Sequence, residues 1–364
     1  MGLKNIIIFF PNFSKGGIEK ISSLLTNFFY KKKIRIKFIS FNNIDYKKYN
    51  FSKGIDFYYN KNNIFFLNNL YCSFILFKIL LKQNKKDTII FSLQNNVLSI
   101  IISKILGFKI VARNSAPIDY SNNQNNLIKK FKLSLKMKIY SYSDLIISNS
   151  KSSANKIKAK LKIKKKIISI PNPILRLENK VNKIKRKNKI LYVGRLSSEK
   201  GIFQLIEGFK IFQKKNPQFF LDIVGDGNQK ENLINFIKDK KLTTKVNLIT
   251  WTNDLSKYYK HSKILILPSF FEGFGNVLIE ALNFCLPCIS NNNDGPKEIL
   301  NYGKYGLLMK NNNPITINNS LTKVIKNYNF YKSKSIAGFK NNKKYHINFI
   351  GNQYLNKIKN TLKN

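Results

Sequence analysis

The sequence is poor in acidic residues, histidine and cysteine. Its 364 residues include 18 Asp and Glu, 2 His and 3 Cys, against 65 Lys and Arg, so the formal net charge is +47. Three cysteines are too few for a disulfide framework, which favours a reducing compartment such as the cytoplasm. An apolar fraction of 43% is nevertheless enough to build hydrophobic cores, so we expect a folded chain and not a disordered polycation.

Long apolar segments are also absent. No stretch approaches the roughly 18 uninterrupted apolar residues of a membrane-spanning helix. The best candidates, Tyr71–Leu81 and Val97–Leu106, each contain a lysine. The N-terminus has no basic region followed by a long apolar run and a cleavage site, so we expect no signal peptide. A chain of this kind can touch a membrane surface but should not cross it.

The positive charge predicts an anionic partner, such as nucleic acid, anionic lipid or a phosphorylated substrate. Drift in an AT-rich genome is an open alternative, because the chain is rich in Lys, Asn, Ile, Phe and Tyr together. The local excess of positive charge is largest in Lys129–Lys166, with 13 Lys and a single acid, Asp144. This segment is either a solvated face or a surface for anionic headgroups. The apolar residues in and beside it are Leu127, Ile128, Phe131, Leu133, Leu135 and Met137.

Short apolar runs alternate with helical patterns along the whole chain, which predicts parallel sheets covered by helices on both faces. A charged, turn-like stretch, Leu177–Lys189, separates two such β-α series. We therefore expect an α/β protein of two doubly wound domains, residues 1–172 and 173–345. The last helix, in residues 346–364, could pack on either domain, and we place it with the first.

In open parallel sheets the ligand lies beyond the carboxyl ends of the strands, so the loops there are the candidate sites. The loop Gly194–Gly201 follows a predicted strand and carries Arg195 and Lys200 before a helix begins. Two cations at a helix N-terminus suit a diphosphate, and Arg can bind it with two parallel hydrogen bonds. Two ordinary surface cations are the alternative in so lysine-rich a chain.

A second loop, Ser269–Glu280, contains two of the few acids, Glu272 and Glu280. Carboxylates accept hydrogen bonds from vicinal hydroxyls, so these residues suit a sugar or ribose ring. The glycines at 273 and 275 permit a tight turn before a helix, and the amides of Gly275, Asn276 and Val277 could meet phosphate oxygens. Incidental acids at a helix start are the alternative.

Weaker signals lie in other loops. Gly16 and Gly17, after the first strand, would let the backbone approach a ligand or simply form a turn. Trp251 could flank a base or belong to a core. The turn Gly225–Gly227 carries no assigned chemistry.

Several known motifs are missing. The chain has no GxxxxGK[ST] and no GxGxxG after its first strand, which argues against a P-loop NTPase and an NAD dehydrogenase. Cys285 and Cys288 have CxxC spacing without a second pair or a nearby histidine, so we interpret them as packing residues. His261 and His346 are isolated and interpreted as structural, and we expect no metal ion and no cofactor.

The loops, in this order, resemble the retaining glycosyltransferases of family 4, which have the two-domain GT-B architecture with a central cleft. The family's E-x7-E pair matches Glu272 and Glu280, and its GR-x(4)-K motif matches Arg195 and Lys200. The stretch from Ser269 to Ser290 matches the family signature, and the resemblance covers nearly the whole chain. It is similar to the branch that assembles bacterial polysaccharides and lipid-linked glycans.

The resemblance implies a role for each matched residue. Arg195 and Lys200 would hold the diphosphate of a UDP-linked nucleotide sugar, and Glu272 would contact the donor sugar. Glu280 would bind the ribose hydroxyls, the amides of Gly275, Asn276 and Val277 would bind diphosphate and sugar, and Gly16 and Gly17 would close the site. It also implies a metal-independent reaction, a lipid-linked acceptor and a cytoplasmic protein held on the inner face of the plasma membrane.

Fewer residues of the sequence match family positions that would contact the acceptor. Many family members carry a histidine that faces the donor sugar, whereas the segment Ser92–Asn96 has none, so Gln94 or Asn95 is expected to supply a hydrogen bond instead. Arg113 and Asn114 form a candidate acceptor-side loop, in which Arg113 would meet a phosphate. Two alternatives stay open. A sugar-nucleotide epimerase is disfavoured by the scarcity of histidine and of acids in the first half, and a nucleic-acid-binding protein by the lack of a reading module.

Overall fold

The computed structural model describes residues 2–13, 17–41, 49–59, 68–114, 127–161, 166–174, 186–252 and 254–364, without the side chains of 127–130. The chain divides into two compact units. The first comprises Met1–Leu175 with Tyr345–Asn364, and the second comprises Arg176–Lys344. The boundary that we expected from the sequence lies at residues 172 and 173.

The first unit contains one parallel sheet in the order β3-β2-β1-β4-β5-β6-β7. Its strands are β1 (Asn5–Phe9), β2 (Arg35–Ile39), β3 (Asp56–Tyr58), β4 (Thr88–Ser92), β5 (Lys109–Asn114), β6 (Leu145–Ser148) and β7 (Ile167–Ser169). Its helices are α1 (Gly17–Lys31), α2 (Asn68–Leu81), α3 (Asn96–Ile105), α4 (Leu127–Tyr140), α5 (Lys151–Leu161) and α13 (Ile347–Lys363). The central strands are continuous apolar runs because both faces of the sheet are covered.

The two faces of this sheet are covered by different helices. Helices α1 and α13 pack on one face, where Phe28, Phe29 and Tyr354 join the core. A Cβ on Gly351 would lie 2.6 Å from the Phe28 ring, so this glycine allows α13 to approach α1 closely. Helices α2 to α5 pack on the other face, where Leu76 and Ile100 join a second core. The last helix thus returns to the first unit, which the sequence pattern left open.

The second unit contains a parallel sheet in the order β10-β9-β8-β11-β12-β13. Its strands are β8 (Lys189–Val193), β9 (Phe220–Val224), β10 (Val246–Ile249), β11 (Ile264–Leu267), β12 (Cys288–Asn291) and β13 (Leu307–Met309). Its helices are α6 (Ile202–Lys215), α7 (Lys230–Asp239), α8 (Ser256–His261), α9 (Asn276–Asn283), α10 (Asp294–Ile299), α11 (Pro314–Lys326) and α12 (Tyr328–Asn341). Short 3-10 turns cover Ser198–Lys200 and Asn342–Tyr345.

The prediction of two doubly wound parallel-sheet domains is confirmed. In each sheet the strand order reverses beside the first strand, between β1 and β4 and between β8 and β11. The loops that follow these strands are where ligands bind in folds of this type. The sequence patterns missed β3, β13, α5, α11 and α12. The two missed strands have three residues each, and helix α5 contains four apolar residues among lysines and serines.

Candidate active site

The loop after β8 contains both predicted cations. Arg195 is exposed, and Lys200 ends the 3-10 turn. Gly201 follows with φ +66°, and a Cβ there would lie 2.3 Å from the carbonyl oxygen of Pro268. Only glycine therefore allows this loop to lie against the end of β11, where the Phe270 amide donates to the Glu199 carbonyl at 2.9 Å.

An ion pair joins the two predicted motifs. The Lys200 ammonium donates to Oε2 of Glu272 at 2.9 Å, and the Ser269 hydroxyl donates to the same oxygen at 3.4 Å. Both side chains are mostly buried, with 20% and 17% of their surface exposed. Partial burial strengthens such a pair relative to one in open solvent and fixes both groups in place. The structure thus brings together residues that are 72 positions apart.

Helix α9 begins beside this ion pair. Its N-cap is Gly275, whose φ of +94° is left-handed and favours glycine over other residues. The helix N-terminus directs its partial positive charge to this edge of the sheet. Gly295 lets α10 pack closely on the preceding turn, since a Cβ there would lie 2.4 Å from Cα of Phe274. The predicted residues Asn276 and Val277 form the first turn of α9.

Glu280 lies in the second turn of α9 and is held by a tyrosine that sequence reasoning missed. The Tyr259 hydroxyl, from α8, donates to Oε2 of Glu280 at 2.8 Å. Burial raises the pKa of Tyr259 well above its usual value, and the charge of Glu280 and their hydrogen bond raise it further. The phenol therefore stays protonated at neutral pH and fixes the orientation of the carboxylate. No local signal links the two residues, since they lie in different helices.

Neighbouring backbone supports the Arg195 loop. The Leu196 amide donates to the Asp226 carbonyl at 2.9 Å, and the Tyr192 hydroxyl donates to the Arg195 carbonyl at 3.0 Å. A Cβ on Gly227 would lie 2.3 Å from the Leu196 carbonyl oxygen. The turn Gly225–Gly227, to which we assigned no chemistry, is therefore a support for the loop that carries the arginine.

Three asparagines hold the start of the glutamate loop. The Asn312 side chain donates to the Pro268 carbonyl at 3.1 Å. Asn291 and Asn293 both donate to the Ser269 carbonyl, at 3.0 and 2.7 Å. These bonds fix the backbone three residues before Glu272. Sequence reasoning missed these asparagines, because asparagine is abundant throughout the chain. Trp251, the other predicted donor-side residue, is partly buried after β10.

The predicted residues of the first unit lie at the carboxyl edge of its sheet. The Gln94 side chain accepts a hydrogen bond from the Asn12 amide at 3.2 Å, which joins the loops after β4 and β1. Gly17 is the exposed first residue of α1, and Gly16 lies outside the described residues. Asn114 is the partly exposed last residue of β5.

The structure corrects the prediction for Arg113. This residue lies within β5 and not in a loop, and only 1% of it is exposed. Its Nε donates to the Tyr354 hydroxyl of α13 at 3.0 Å, and its Nη2 donates to the Asn172 side chain. A side chain so enclosed has no surface to offer an acceptor phosphate. Arg113 instead ties the last helix to the sheet.

The cysteines and histidines have structural surroundings. Cys72, Cys285 and Cys288 are buried free thiols. Burial raises the pKa of Cys285 to about 11 and raises that of Cys288 further, so neither thiol is a thiolate at neutral pH. His346 caps α13 through its Nδ1. Within the described residues no group of three His, Cys, Asp or Glu is placed to hold a metal ion. None of the helices described is long and apolar enough to cross a membrane.

Comparison with known families identifies the second unit. Residues 174–344 match the family of glycosyl transferases group 1. The match spans the whole unit that carries Arg195, Lys200, Glu272 and Glu280. The second unit is therefore similar to this family of transferases over its full length.

Two curated relatives each match about half of the chain. An uncharacterized glycosyltransferase of Haemophilus influenzae is 40% identical over 171 residues, which are 46% of this chain and 48% of the relative. A Campylobacter jejuni protein is 32% identical over 198 residues, 53% of each chain. Its name is N-acetylgalactosamine-N,N'-diacetylbacillosaminyl-diphospho-undecaprenol 4-alpha-N-acetylgalactosaminyltransferase. The chain spans about half the length of the curated relatives that it matches.

A solved structure shares the fold over both units. HepE of Anabaena, crystallised with UDP and glucose, aligns with a TM-score of 0.82 at 16% identity. The alignment covers 98% of this chain and 99% of that one. At this identity the likeness shows the fold, that of the GT-B glycosyltransferases. Together these matches favour a transferase over an epimerase or a nucleic-acid-binding protein.

Proposed function

We propose that the protein is a retaining glycosyltransferase of family 4. It transfers a hexose or N-acetylhexosamine from a nucleotide sugar, UDP-linked, to a lipid-linked glycan or polysaccharide acceptor. The observation that carries the proposal is the Lys200–Glu272 ion pair, 2.9 Å long, beside the start of α9. The family match, the name of the Campylobacter relative and the UDP bound to HepE support it.

Arg195 and Lys200 are proposed to bind the donor diphosphate. The exposed guanidinium of Arg195 can form two parallel hydrogen bonds to phosphate oxygens, and Lys200 adds a fixed point charge. The first turn of α9, with Gly275, Asn276 and Val277, adds its partial positive charge. Negative charge develops on the leaving diphosphate as the sugar departs, and groups already in place stabilise it without reorganisation.

The two glutamates are proposed to bind hydroxyls at different ends of the donor. Glu272 holds Lys200 in place and would accept hydrogen bonds from the sugar. Glu280, oriented by Tyr259, would accept from the ribose hydroxyls, and Trp251 would flank the base. The chemistry of a carboxylate suits vicinal hydroxyls, because its two oxygens accept side by side.

In the proposed reaction the bond between the anomeric carbon and the diphosphate oxygen breaks. The acceptor hydroxyl oxygen then bonds to that carbon on the same face, so the configuration is retained. The departing phosphate oxygen takes the acceptor proton, which makes a protein base unnecessary. We propose that no metal ion takes part, because the two cations and the helix N-terminus supply the positive charge. Gln94 and Asn114 remain the proposed acceptor-side residues, and Gly16 and Gly17 remain proposed donor-binding residues.

The acceptor class implies a location. We propose that the protein works in the cytoplasm, on the inner face of the plasma membrane, where lipid-linked acceptors are accessible to a chain without a membrane-spanning helix among its described residues. Anionic headgroups would attract the basic first unit.

Thermal shift with UDP-, GDP-, ADP- and dTDP-sugars tests the donor site. A donor that binds only the folded state at about 100 times its Kd adds about 2.7 kcal/mol, or roughly 5–10 °C in Tm. We expect this shift for UDP-sugars, and its loss in Glu272→Gln, which removes the charge that holds Lys200. Glu207→Gln is the matched control, because Glu207 in the middle of α6 pairs at 3.2 Å with Lys240, which follows the end of α7. A Glu272→Gln protein that responds as strongly as the control would contradict the site.

A further inference from the structure

We infer that the outer face of α2, α3 and α4 docks on an anionic lipid bilayer. This outer face is defined by eight exposed apolar side chains, Leu70, Phe74, Phe77, Leu81, Ile101, Ile105, Phe131 and Leu135. The inference deepens the membrane location proposed above. It holds or fails independently of the transfer reaction, because its test measures lipid binding and not turnover.

Helix α2 is apolar on all sides, although none of the residues that the structure describes covers its outer side. Its inner side places Cys72, Leu76, Ile79 and Leu80 in the core. On its outer side Leu70, Phe74, Phe77 and Leu81 are 57%, 53%, 38% and 63% exposed. Their spacing of four, three and four residues makes one stripe along the helix. A helix that is apolar all round is ordinarily buried, so the outer stripe of α2 calls for a covering partner.

The stripe continues on the neighbouring helices. Helix α2 packs against α3, and α3 packs against α4. Ile101 and Ile105 are exposed one turn apart on α3, as are Phe131 and Leu135 on α4. Three adjacent helices thus present apolar side chains outward on the same side of the first sheet. Several exposed apolar side chains on adjacent helices indicate an interaction site, whereas single exposed apolar residues do not.

The outer face differs from the surface that the sequence suggested. Within Lys129–Lys166, Met137 is buried and Leu133 packs against the core. Only Phe131 and Leu135 of the six apolar residues considered there are shown to be exposed, and the side chains of Leu127 and Ile128 lie outside the description. Four of the eight exposed apolar side chains therefore lie on α2, whose segment Tyr71–Leu81 was considered above as a candidate membrane-spanning helix.

Lysines accompany the apolar side chains. Lys78, Lys82 and Lys85 are exposed in or just after α2, and Lys132, Lys136 and Lys138 are exposed on α4. Helices α2, α3 and α4 contain no Asp or Glu at all. The nearby Asp144 is paired with Lys104 and Lys109. The Lys78 ammonium lies 4.3 Å from the centre of the Phe74 ring, so cation and aromatic ring occupy one surface.

A face that combines exposed apolar side chains with lysines fits an anionic bilayer better than a second copy of the chain. In a two-fold dimer the same face meets itself, which would set lysines against lysines at a cost. An anionic bilayer instead offers headgroup charges to the lysines and an acyl boundary to the apolar side chains. Long lysine side chains can reach the headgroups while their stems lie along apolar surface.

Partition of the full chain onto vesicles tests the inference. The vesicles contain phosphatidylcholine with or without phosphatidylglycerol. We expect binding to the anionic vesicles that weakens as salt is raised. The variant L70S/F74S/L81S should bind at least tenfold more weakly, which corresponds to about 1.4 kcal/mol. The matched control is I315S/F330S/F349S, whose residues are 64%, 57% and 53% exposed on other helices, and it should bind like the unchanged chain.

Three results would overturn the inference. The first is equal partition of L70S/F74S/L81S and the unchanged chain. The second is equal binding to vesicles without phosphatidylglycerol, which would remove the role of charge. The third is a dimer of the unchanged chain that becomes monomeric in L70S/F74S/L81S while vesicle binding persists, which would assign the outer face to a second copy. The donor-induced thermal shift should be the same in both variants, so a failure of lipid binding is distinguishable from a failure of the proposed function.

Discussion

The carboxyl edges of the two sheets use their polar side chains in opposite ways. At the first edge, Arg113 is enclosed by Tyr354 and Asn172, and Asn96 donates to the Arg113 carbonyl at 3.0 Å. At the second edge, Arg195 is exposed, and Lys200, Glu272 and Glu280 are held in place by neighbours. The first edge uses an arginine to join parts of the protein, whereas at the second edge we propose that the charged groups bind a ligand.

The comparison shows why an arginine in a lysine-rich chain is not by itself a sign of a ligand site. Arg186 makes the same point within the second unit. Its guanidinium donates to the carbonyls of Tyr259, Ser262 and Phe284 at 2.9, 2.8 and 2.6 Å. Burial lowers the pKa of Arg186, yet a guanidinium remains charged at neutral pH. Its rigid fork of donors suits several carbonyls at once, which lysine cannot match.

The largest expected effect comes from Arg195→Met. If the second edge binds a donor diphosphate, loss of this cation should lower kcat/KM about 100-fold, or about 2.7 kcal/mol. The free energy of unfolding should hardly change, because the side chain is exposed. Steady-state kinetics with a UDP-sugar and urea denaturation measure the two quantities. If Arg195→Met lowered the free energy of unfolding and left kcat/KM unchanged, Arg195 would have the structural role assigned to Arg113.

Arg113→Met is the matched change at the first edge. It leaves the Tyr354 hydroxyl and the Asn172 side chain without their buried donor, which should cost about 2 kcal/mol of unfolding free energy. The kcat/KM of the folded fraction should stay within about twofold of the unchanged protein, since the side chain is enclosed. Urea denaturation read out on the first unit checks the first expectation. If Arg113→Met lowered kcat/KM 100-fold without changing the free energy of unfolding, Arg113 would contact the acceptor after all.

The smallest effect concerns Tyr259. Because burial raises its pKa in the folded state, the phenol keeps its proton after the unfolded chain has lost it near pH 10. Its contribution to stability is therefore fully present below pH 10 and is lost as the pH rises above it. Relative to Tyr259→Phe, the unchanged protein should lose about 1 kcal/mol of unfolding free energy between pH 10 and 11. The measurement is urea denaturation of both proteins at pH 10 and pH 11. If their free energies of unfolding changed equally with pH, the Tyr259 phenol would not be held neutral in the folded state.

Much of the architecture could be predicted from the sequence. Continuous apolar runs at residues 88–92, 145–148 and 189–193 predict buried parallel strands, and the structure has strands with these bounds. The candidate donor-side residues were also named in advance, since Arg195, Lys200, Glu272 and Glu280 belong to short motifs with fixed spacing. The missed helices α5, α11 and α12 are rich in Lys, Asn and Ser, and tertiary packing stabilises them more than local preference does.

The sequence by itself determined the two parallel sheets and the residues at the edge of the second one, because apolar periodicity and motif spacing are local properties. Tertiary structure alone decided that Lys200 meets Glu272, that Tyr259 orients Glu280 and that α13 returns to the first unit. It also decided that Arg113 is enclosed while the apolar stripe of α2 is not. These contacts join residues far apart in the chain, and burial depends on which elements pack together, which no local pattern encodes.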